Sequence, residues 1–330
     1  MRLIMMGTGP FALPTFRYLL SQPHDIPVLI TRPARPGVGK KGPPPSPMRM
    51  EAEARGIPVW DPEDVNDPAV IANIAQLRPG LLVVCDYGQI LASSVIATAG
   101  LGGINLHGSL LPKYRGAAPI NWAIYRGESE TGVSVIHLTP QLDGGPILSR
   151  RVLPIRAEDD AETLEPVLAE LGVDAVAEAI GLLESWNGRD ALGEMQAADQ
   201  VTRARRLRKE DGRLDWHRTA RQLFNQIRAL KPWPGTYTYW HPPGKPAQRW
   251  IIDRAQIVDS PDKSSAAALP GEITVASSGR LCVATGDGSL ELLAIQPAGK
   301  RVMPVGEFLR GQAVAVGQRL GGDERVESRE

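Results

Sequence analysis

The chain has 330 residues, 42% of them hydrophobic and 22% charged, and its 37 basic and 37 acidic side chains cancel to zero net charge. That length exceeds one ordinary hydrophobic core and suits two domains, while no apolar run approaches the roughly 20 residues of a membrane-spanning helix, which excludes a helical membrane protein. Cys85 and Cys282 stand far apart without framework or metal-ligand spacing, which excludes a disulfide scaffold or zinc finger and fits a reducing, cytoplasmic setting.

Leu3 to Met6 reads as a first strand, stopped by Gly7-Thr8-Gly9-Pro10 too soon for the apolar core of a signal peptide. Phe11, Leu13, Phe16, Leu19 and Leu20 are spaced for a buried helix, and Val28 to Ile30 for a second strand, a βαβ opening. The turn Gly7-Thr8-Gly9-Pro10-Phe11-Ala12 satisfies the loose G-x-G-x-x-G/A dinucleotide pattern, and Arg32 stands where it could face a 2′-phosphate. An NADP-dependent dehydrogenase is therefore one reading, opposed by Pro10 and by Thr31, which stands where an acidic ribose ligand belongs. Residues 31–47 are rich in proline and glycine and carry Arg32, Arg35, Lys40 and Lys41 with no acid. They predict a long exposed loop suited to phosphate contact.

Alternation resumes with helices over 48–55 and 69–77, a strand at Val59-Trp60, and a buried strand Leu81 to Val84 that ends at Cys85-Asp86-Tyr87-Gly88. The rhythm predicts a mostly parallel sheet in a Rossmann-like α/β domain. Gly103 to Gly108 reads as the next strand. Period-two geometry puts Asn105 and His107 on one face and Ile104 and Leu106 on the other, at the C-terminal strand end where open α/β sheets place ligands. A helix over 117–125 and a strand over 132–138 follow, and His137 within that strand reads as packing. Asp143 stands just beyond, before a strand over 147–155 and a helical stripe over 163–184.

An amide that can donate to a developing oxyanion, an imidazole two residues on and a carboxylate able to orient it form a combination suited to acyl-type transfer. Any one of the three alone would read as structural. A serine hydrolase built on Ser109 and His107 is excluded, because no G-x-S-x-G elbow surrounds the serine.

The first domain is expected to span 1–186. A linker over 187–208 turns basic at its end, with Arg203, Arg205, Arg206, Arg208 and then Lys209. Residues 209–318 form the second domain and 319–330 a tail. This domain opens with an amphipathic helix over 220–230, and short β-rich runs at 236–240, 249–258, 271–276, 281–285 and 289–295 follow. A small OB-like β-barrel is the economical arrangement.

Five stretches carry a family resemblance: Asn105-Leu106-His107-Gly108-Ser109-Leu110-Leu111-Pro112, Arg115-Gly116-Ala117-Ala118-Pro119-Ile120, Leu142-Asp143-Gly144-Gly145, Ile227-Arg228-Ala229-Leu230-Lys231-Pro232-Trp233-Pro234-Gly235, and Ala284-Thr285-Gly286-Asp287-Gly288 leading to Gln296-Pro297-Ala298-Gly299-Lys300. The first three resemble folate-dependent formyltransferases in general. The last two look like the methionyl-tRNA formyltransferases in particular. The resemblance implies formyl transfer from 10-formyltetrahydrofolate to methionine on initiator tRNA, without a metal, in a cytoplasmic monomer. It places the catalytic roles on Asn105, His107 and Asp143. Folate contact falls on Ser109, Leu110, Leu111 and Pro112, with Tyr87, Gly88 and Ile90 lining the same pocket. Arg32, Arg35, Lys40, Lys41, Arg205, Arg206, Arg208, Lys209 and Lys300 are the expected tRNA contacts. A folate-dependent transferase or hydrolase with another acceptor, such as an amino sugar nucleotide or water, is the alternative.

The chain departs from the family pattern at Val38-Gly39-Lys40, where Arg-Gly-Lys is usual, and at Gly9-Pro10, where Thr-Pro is usual. Cys85-Asp86 replaces small apolar residues, and Ala92 replaces a proline.

Overall fold

The computed structural model describes residues 1–33, 46–258 and 268–321. The chain divides into two compact units. One comprises Met1–Ile120, Ser129–Arg156 and Thr163–Arg206, and the other Asn121–Glu128, Ala157–Glu162 and the chain from Leu207 on.

In chain order the elements up to the division are β1 (Leu3–Gly7), α1 (Leu13–Ser21), β2 (Leu29–Ile30), α2 (Pro47–Ala54), β3 (Val59–Trp60), α3 (Pro68–Gln76), β4 (Leu81–Cys85), α4 (Ser93–Ile96), β5 (Gly103–His107), β6 (Arg115–Gly116), α5 (Pro119–Arg126), β7 (Glu130–His137), β8 (Ile147–Pro154), α6 (Ala161–Glu184) and β9 (Arg203–Ala204). The main sheet runs β3-β2-β1-β4-β5-β7-β8. Strands β1 to β5 pair in parallel, and β7 and β8 are antiparallel. Every residue of β1 and β4 is buried, as a strand covered on both faces requires. Ile4, Met6, Ile30, Val84 and Tyr87 pack with Val65, Ile74 and Val95 on one side of the sheet. On the other side α6 approaches so closely that a Cβ on Gly172 would press on the Leu106 side chain.

Register fixes the site. Val84 pairs with Asn105 and Cys85 with Leu106, while Gly7 pairs with Cys85. The ends of β1, β4 and β5 therefore lie level with one another, about 4.8 Å apart strand to strand.

The segment expected to be a linker belongs mostly with the first unit, up to Arg206. Glu194 and Ile147 exchange two backbone hydrogen bonds of 2.8 Å. The Tyr114 N–H donates to Thr202 Oγ1 at 2.9 Å, and β9 pairs in parallel with β6. A two-residue strand leaves no hydrophobic periodicity in the sequence, so only the fold reveals it.

The second unit holds α7 (Ala220–Ala229), β10 (Thr236–Trp240), β11 (Gln248–Val258), β12 (Ile273–Ser277), β13 (Arg280–Ala284), β14 (Ser289–Pro297), β15 (Met303–Pro304), α8 (Val305–Gly311) and β16 (Leu320–Gly321). Thr219 and Gln222 form a reciprocal capping box that starts α7. The sheet order is β12-β13-β14-β11-β10-β16, with β15 on β14, and a bridge between Glu272 and Arg319 joins its two edges. This is the curled, OB-like sheet expected, extended by the short strands β15 and β16. Trp240, Trp250 and Phe308 stack at its centre, with Trp250 ring centroids 5.0 Å and 4.9 Å from the other two. The short pieces 121–128 and 157–162 join this unit through hydrogen bonds from Asn121 Nδ2 to the Ala229 carbonyl (2.7 Å) and from Arg228 Nη1 to the Asp159 carbonyl (3.0 Å).

Candidate active site

Asn105 and His107 stand at the end of β5, and Asp143 reaches them from the turn between β7 and β8. Asn105 Nδ2 donates to Asp143 Oδ1 at 3.4 Å, and His107 Nδ1 lies 3.8 Å from Asp143 Oδ2. His107 Nε2 sits 2.9 Å from the Tyr114 carbonyl. A carbonyl only accepts, so Nε2 carries the proton and Nδ1 is the nitrogen turned to Asp143 and left to exchange protons. Both side chains are nearly buried, at 6% and 10% exposure, so the charge of Asp143 is weakly screened at His107.

Asp143 adopts a left-handed backbone with φ 50°, which Asp and Asn tolerate better than other side chains. The surroundings hold it there. Its Oδ2 accepts from the Gly116 N–H at 2.8 Å. Gln196 Nε2 donates to the Asp143 and Gly145 carbonyls, each at 2.8 Å. Gln196 Oε1 in turn accepts from Arg115 Nε (3.0 Å) and Nη2 (2.7 Å). Burial, then the like charge of Arg203, lowers the pKa of Arg115, and Asp143 partly offsets this. Gly116 and Arg115 lie in a stretch that carried the resemblance without a role. Gln196 lies in the segment read as linker, where no periodicity marks it.

The loop after β5 is built by its own hydrogen bonds. Ser109 Oγ donates to the Lys113 carbonyl at 2.7 Å, and Ser134 Oγ donates to the Ser109 carbonyl and accepts from the Leu111 N–H. Leu111 packs on Ile136 and Ile147, Pro112 is buried and Leu110 is half-buried. Ser109 therefore shapes the loop, and its hydroxyl is committed. Tyr87 turns its ring into the core, where its hydroxyl has no partner among the described residues and burial pushes its pKa up to about 12, against a smaller opposing effect of Arg32. What Tyr87 presents at the strand end is backbone. Gly88 is exposed with φ 83°, and Ile90 is an apolar side chain left 67% exposed in the loop after β4.

Thr8 ties three strand ends together: its hydroxyl donates to the Tyr87 carbonyl and accepts from Thr31 Oγ1 and the Arg32 N–H, each at 3.2 Å. The Arg32 side chain lies against Gly88. Arg35, Lys40 and Lys41 lie outside the described residues, as does Val38. Arg205, Arg206, Arg208 and Lys209 are all exposed, as is Lys300 in the turn between β14 and β15. His137 is structural, with Nε2 2.9 Å from the Leu101 carbonyl and its ring edge-on to Trp186.

The glycine turn that resembles a dinucleotide site has another use. A Cβ on Gly9 would collide with Asp86 Oδ2. The place a pyrophosphate would take in a dinucleotide protein is filled by a carboxylate, which would repel it.

Comparison with known proteins identifies the family. Residues 1–180 match the formyl transferase family and residues 206–313 its formyl transferase C-terminal domain. The chain is 42% identical over 332 residues to a methionyl-tRNA formyltransferase of Rhodopirellula baltica, covering 97% of this chain and 96% of that one. The chain belongs to the methionyl-tRNA formyltransferases. It is thus an enzyme of formyl transfer, and the dehydrogenase reading falls away. Among solved structures the formyltransferase shares its fold with an N-formyltransferase from Helicobacter canadensis in complex with folinic acid and dTDP-3-aminofucose (TM-score 0.63, 17% identity, 88% of this chain and 97% of that one). It also shares it with HypX from Aquifex aeolicus in complex with tetrahydrofolic acid (TM-score 0.56, 18% identity, 96% of this chain and 50% of that one). Among the described residues no helix is long and apolar enough to cross a membrane.

Proposed function

We propose that the chain transfers the formyl group of 10-formyltetrahydrofolate to the α-amine of methionine on initiator tRNA at the end of β5. The observation that carries this is the convergence of Asn105, His107 and Asp143, one strand-end amide, one imidazole and one carboxylate, within hydrogen-bond or ion-pair distance.

Attack of the amine on the formyl carbon puts negative charge on the formyl oxygen. The Asn105 amide is held to Asp143 by only a long 3.4 Å bond, so it is free to turn its N–H to that oxygen. His107, with Nε2 committed to Tyr114, offers Nδ1. As an imidazolium it donates to the oxyanion, and as neutral imidazole it takes up a proton lost by the amine. Asp143 stabilises the imidazolium. His107 passes the amine's proton on to the folate nitrogen, which leaves as a neutral N–H, so the protons balance within the site while Asn105 only donates a hydrogen bond. The exposed Ile90 and the Gly88 backbone suit the flat face and polar edge of a pteridine.

The OB-like second unit and the exposed arginines at 205, 206 and 208 support tRNA over a small acceptor, since phosphate contacts need such cations. We read the protein as a cytoplasmic monomer; sedimentation as a dimer would change that part. The direct test is labelled-formyl transfer to initiator methionyl-tRNA, with an amino sugar nucleotide as control acceptor. Transfer to the sugar alone would overturn the assignment.

A further inference from the structure

Two departures from the family pattern, Gly9 and Asp86, meet in space. The missing Cβ of Gly9 leaves the room that the Asp86 carboxylate occupies. Asp86 follows β4 directly, in a left-handed conformation with φ 46°, and its carbonyl accepts from the Thr8 N–H at 3.0 Å. No hydrogen bond or ion pair satisfies its carboxylate among the described residues. It is open to solvent, yet desolvation, followed by the like charge of Glu165 from α6, raises its pKa to about 6. Burial raises the pKa of Glu165 as well. Among the described residues, the charged and titratable groups around Asp86 are Glu165 from α6, Arg32 across Gly88, the buried Cys85 thiol before it, and His107 at the same level one strand away.

Placement decides the ligand. The loops that would take the donor follow β4 and β5, over 87–91 and 109–112. The Asp86 side chain instead lies against Gly9 in the β1 turn and feels the charge of Glu165, which leaves it for the acceptor. Two carboxylates that repel each other are relieved by a cation rather than by a neutral hydroxyl. The acceptor's own cation is the α-ammonium, which cannot attack until it loses a proton.

We propose that Asp86, backed by Glu165, receives the α-ammonium of the aminoacyl acceptor and takes one proton from it before the amine reaches the formyl carbon. This rests on the formyl-transfer reading above. One N–H bond of the ammonium breaks and an O–H bond forms on Asp86, leaving the lone pair on nitrogen. The second proton leaves after attack, by way of His107 and Asp143, to the folate nitrogen. A carboxylate titrating near 6 is better matched to an α-amine of pKa about 7.7–8.0 than an ordinary carboxylate is.

The test is kcat/KM for initiator methionyl-tRNA from about pH 5 to about pH 9. The wild-type enzyme should show an acidic limb near 6. Asp86→Asn keeps the shape and the left-handed backbone. It should be about tenfold or more slower at neutral pH, with the deficit closing above the pKa of the amine. Glu165→Gln should move the limb to lower pH, because removing a like charge eases ionisation of Asp86. A deficit equal at all pH values, or none, overturns the proposal. If Asp86→Asn does not fold by circular dichroism, Glu165→Gln decides, and an unmoved limb overturns it. An inert wild-type enzyme would instead overturn the formyl-transfer reading and this proposal with it.

Discussion

Replacing Asp143 with Asn keeps the shape, removes one charge and takes away the acceptor that Asn105 Nδ2 reaches over a long 3.4 Å. Asn has the same shape, tolerates the φ of 50° and still offers an oxygen to the Gly116 N–H, which Asp143 Oδ2 accepts at 2.8 Å. What disappears with the charge is attraction between the carboxylate and the imidazolium formed during the reaction, across the 3.8 Å from Oδ2 to Nδ1. At an effective dielectric of about 20 that attraction is about 4 kcal/mol. At 1.36 kcal/mol per decade this is about 10³-fold in rate, and residual solvent access at the 10% exposed carboxylate brings the expected loss to about 10²–10³-fold in kcat. The KM for tRNA should hardly change, since phosphate binding does not involve Asp143. Single-turnover transfer of labelled formyl at saturating substrates reads the chemical step alone. A loss below about tenfold, with the variant folded, would refute the assignment of Asp143 to charge stabilisation.

Gln196→Ala strips donors from the Asp143 and Gly145 carbonyls and leaves the buried Arg115 guanidinium without its acceptor. It should cost about 2–4 kcal/mol of stability and lower kcat, checked by thermal melting and kinetics, and an unchanged Tm would count against the clamp. Gly9 has φ −87°, open to any residue, so Gly9→Ala tests the contact with Asp86 alone. A loss of about 1–3 kcal/mol is expected, recovered by adding Asp86→Gly, and a loss that persists in the double variant would assign Gly9 another reason. Neutralising Arg205 and Arg206 together should flatten the slope of log K for tRNA against log salt by about 0.7–0.9 for each phosphate no longer neutralised. A slope equal to that of the wild type would remove them from the tRNA surface.

Asn105 and His107 were legible because a strand has period two, and Ile104 and Leu106 show which face is apolar. The antiparallel direction of β7 and β8 was not, since a buried strand carries the same run of apolar residues whichever way it pairs. Asp143 could be named from its motif, but its support could not. Gln196 is 53 residues from Asp143 in sequence and lies where no periodicity exists. Helix α7 and the five longer strands of the second unit were readable from their periodicity, and the seven-residue α8 was not. The two-residue strand β16, placed by pairing alone, was not. Gly9 and Asp86 each stood out as a departure, and only the register of β1 with β4 shows that one makes room for the other.

The central claim is that a strand-end trio transfers formyl to methionine on initiator tRNA. Its most direct measurement is labelled-formyl transfer from 10-formyltetrahydrofolate to initiator and elongator methionyl-tRNA, run side by side with wild type and His107→Ala. The account predicts transfer to the initiator tRNA in clear preference to the elongator, and a fall of about 10²-fold or more in the variant. Absence of transfer by the wild type, or near-normal transfer by His107→Ala, would contradict it.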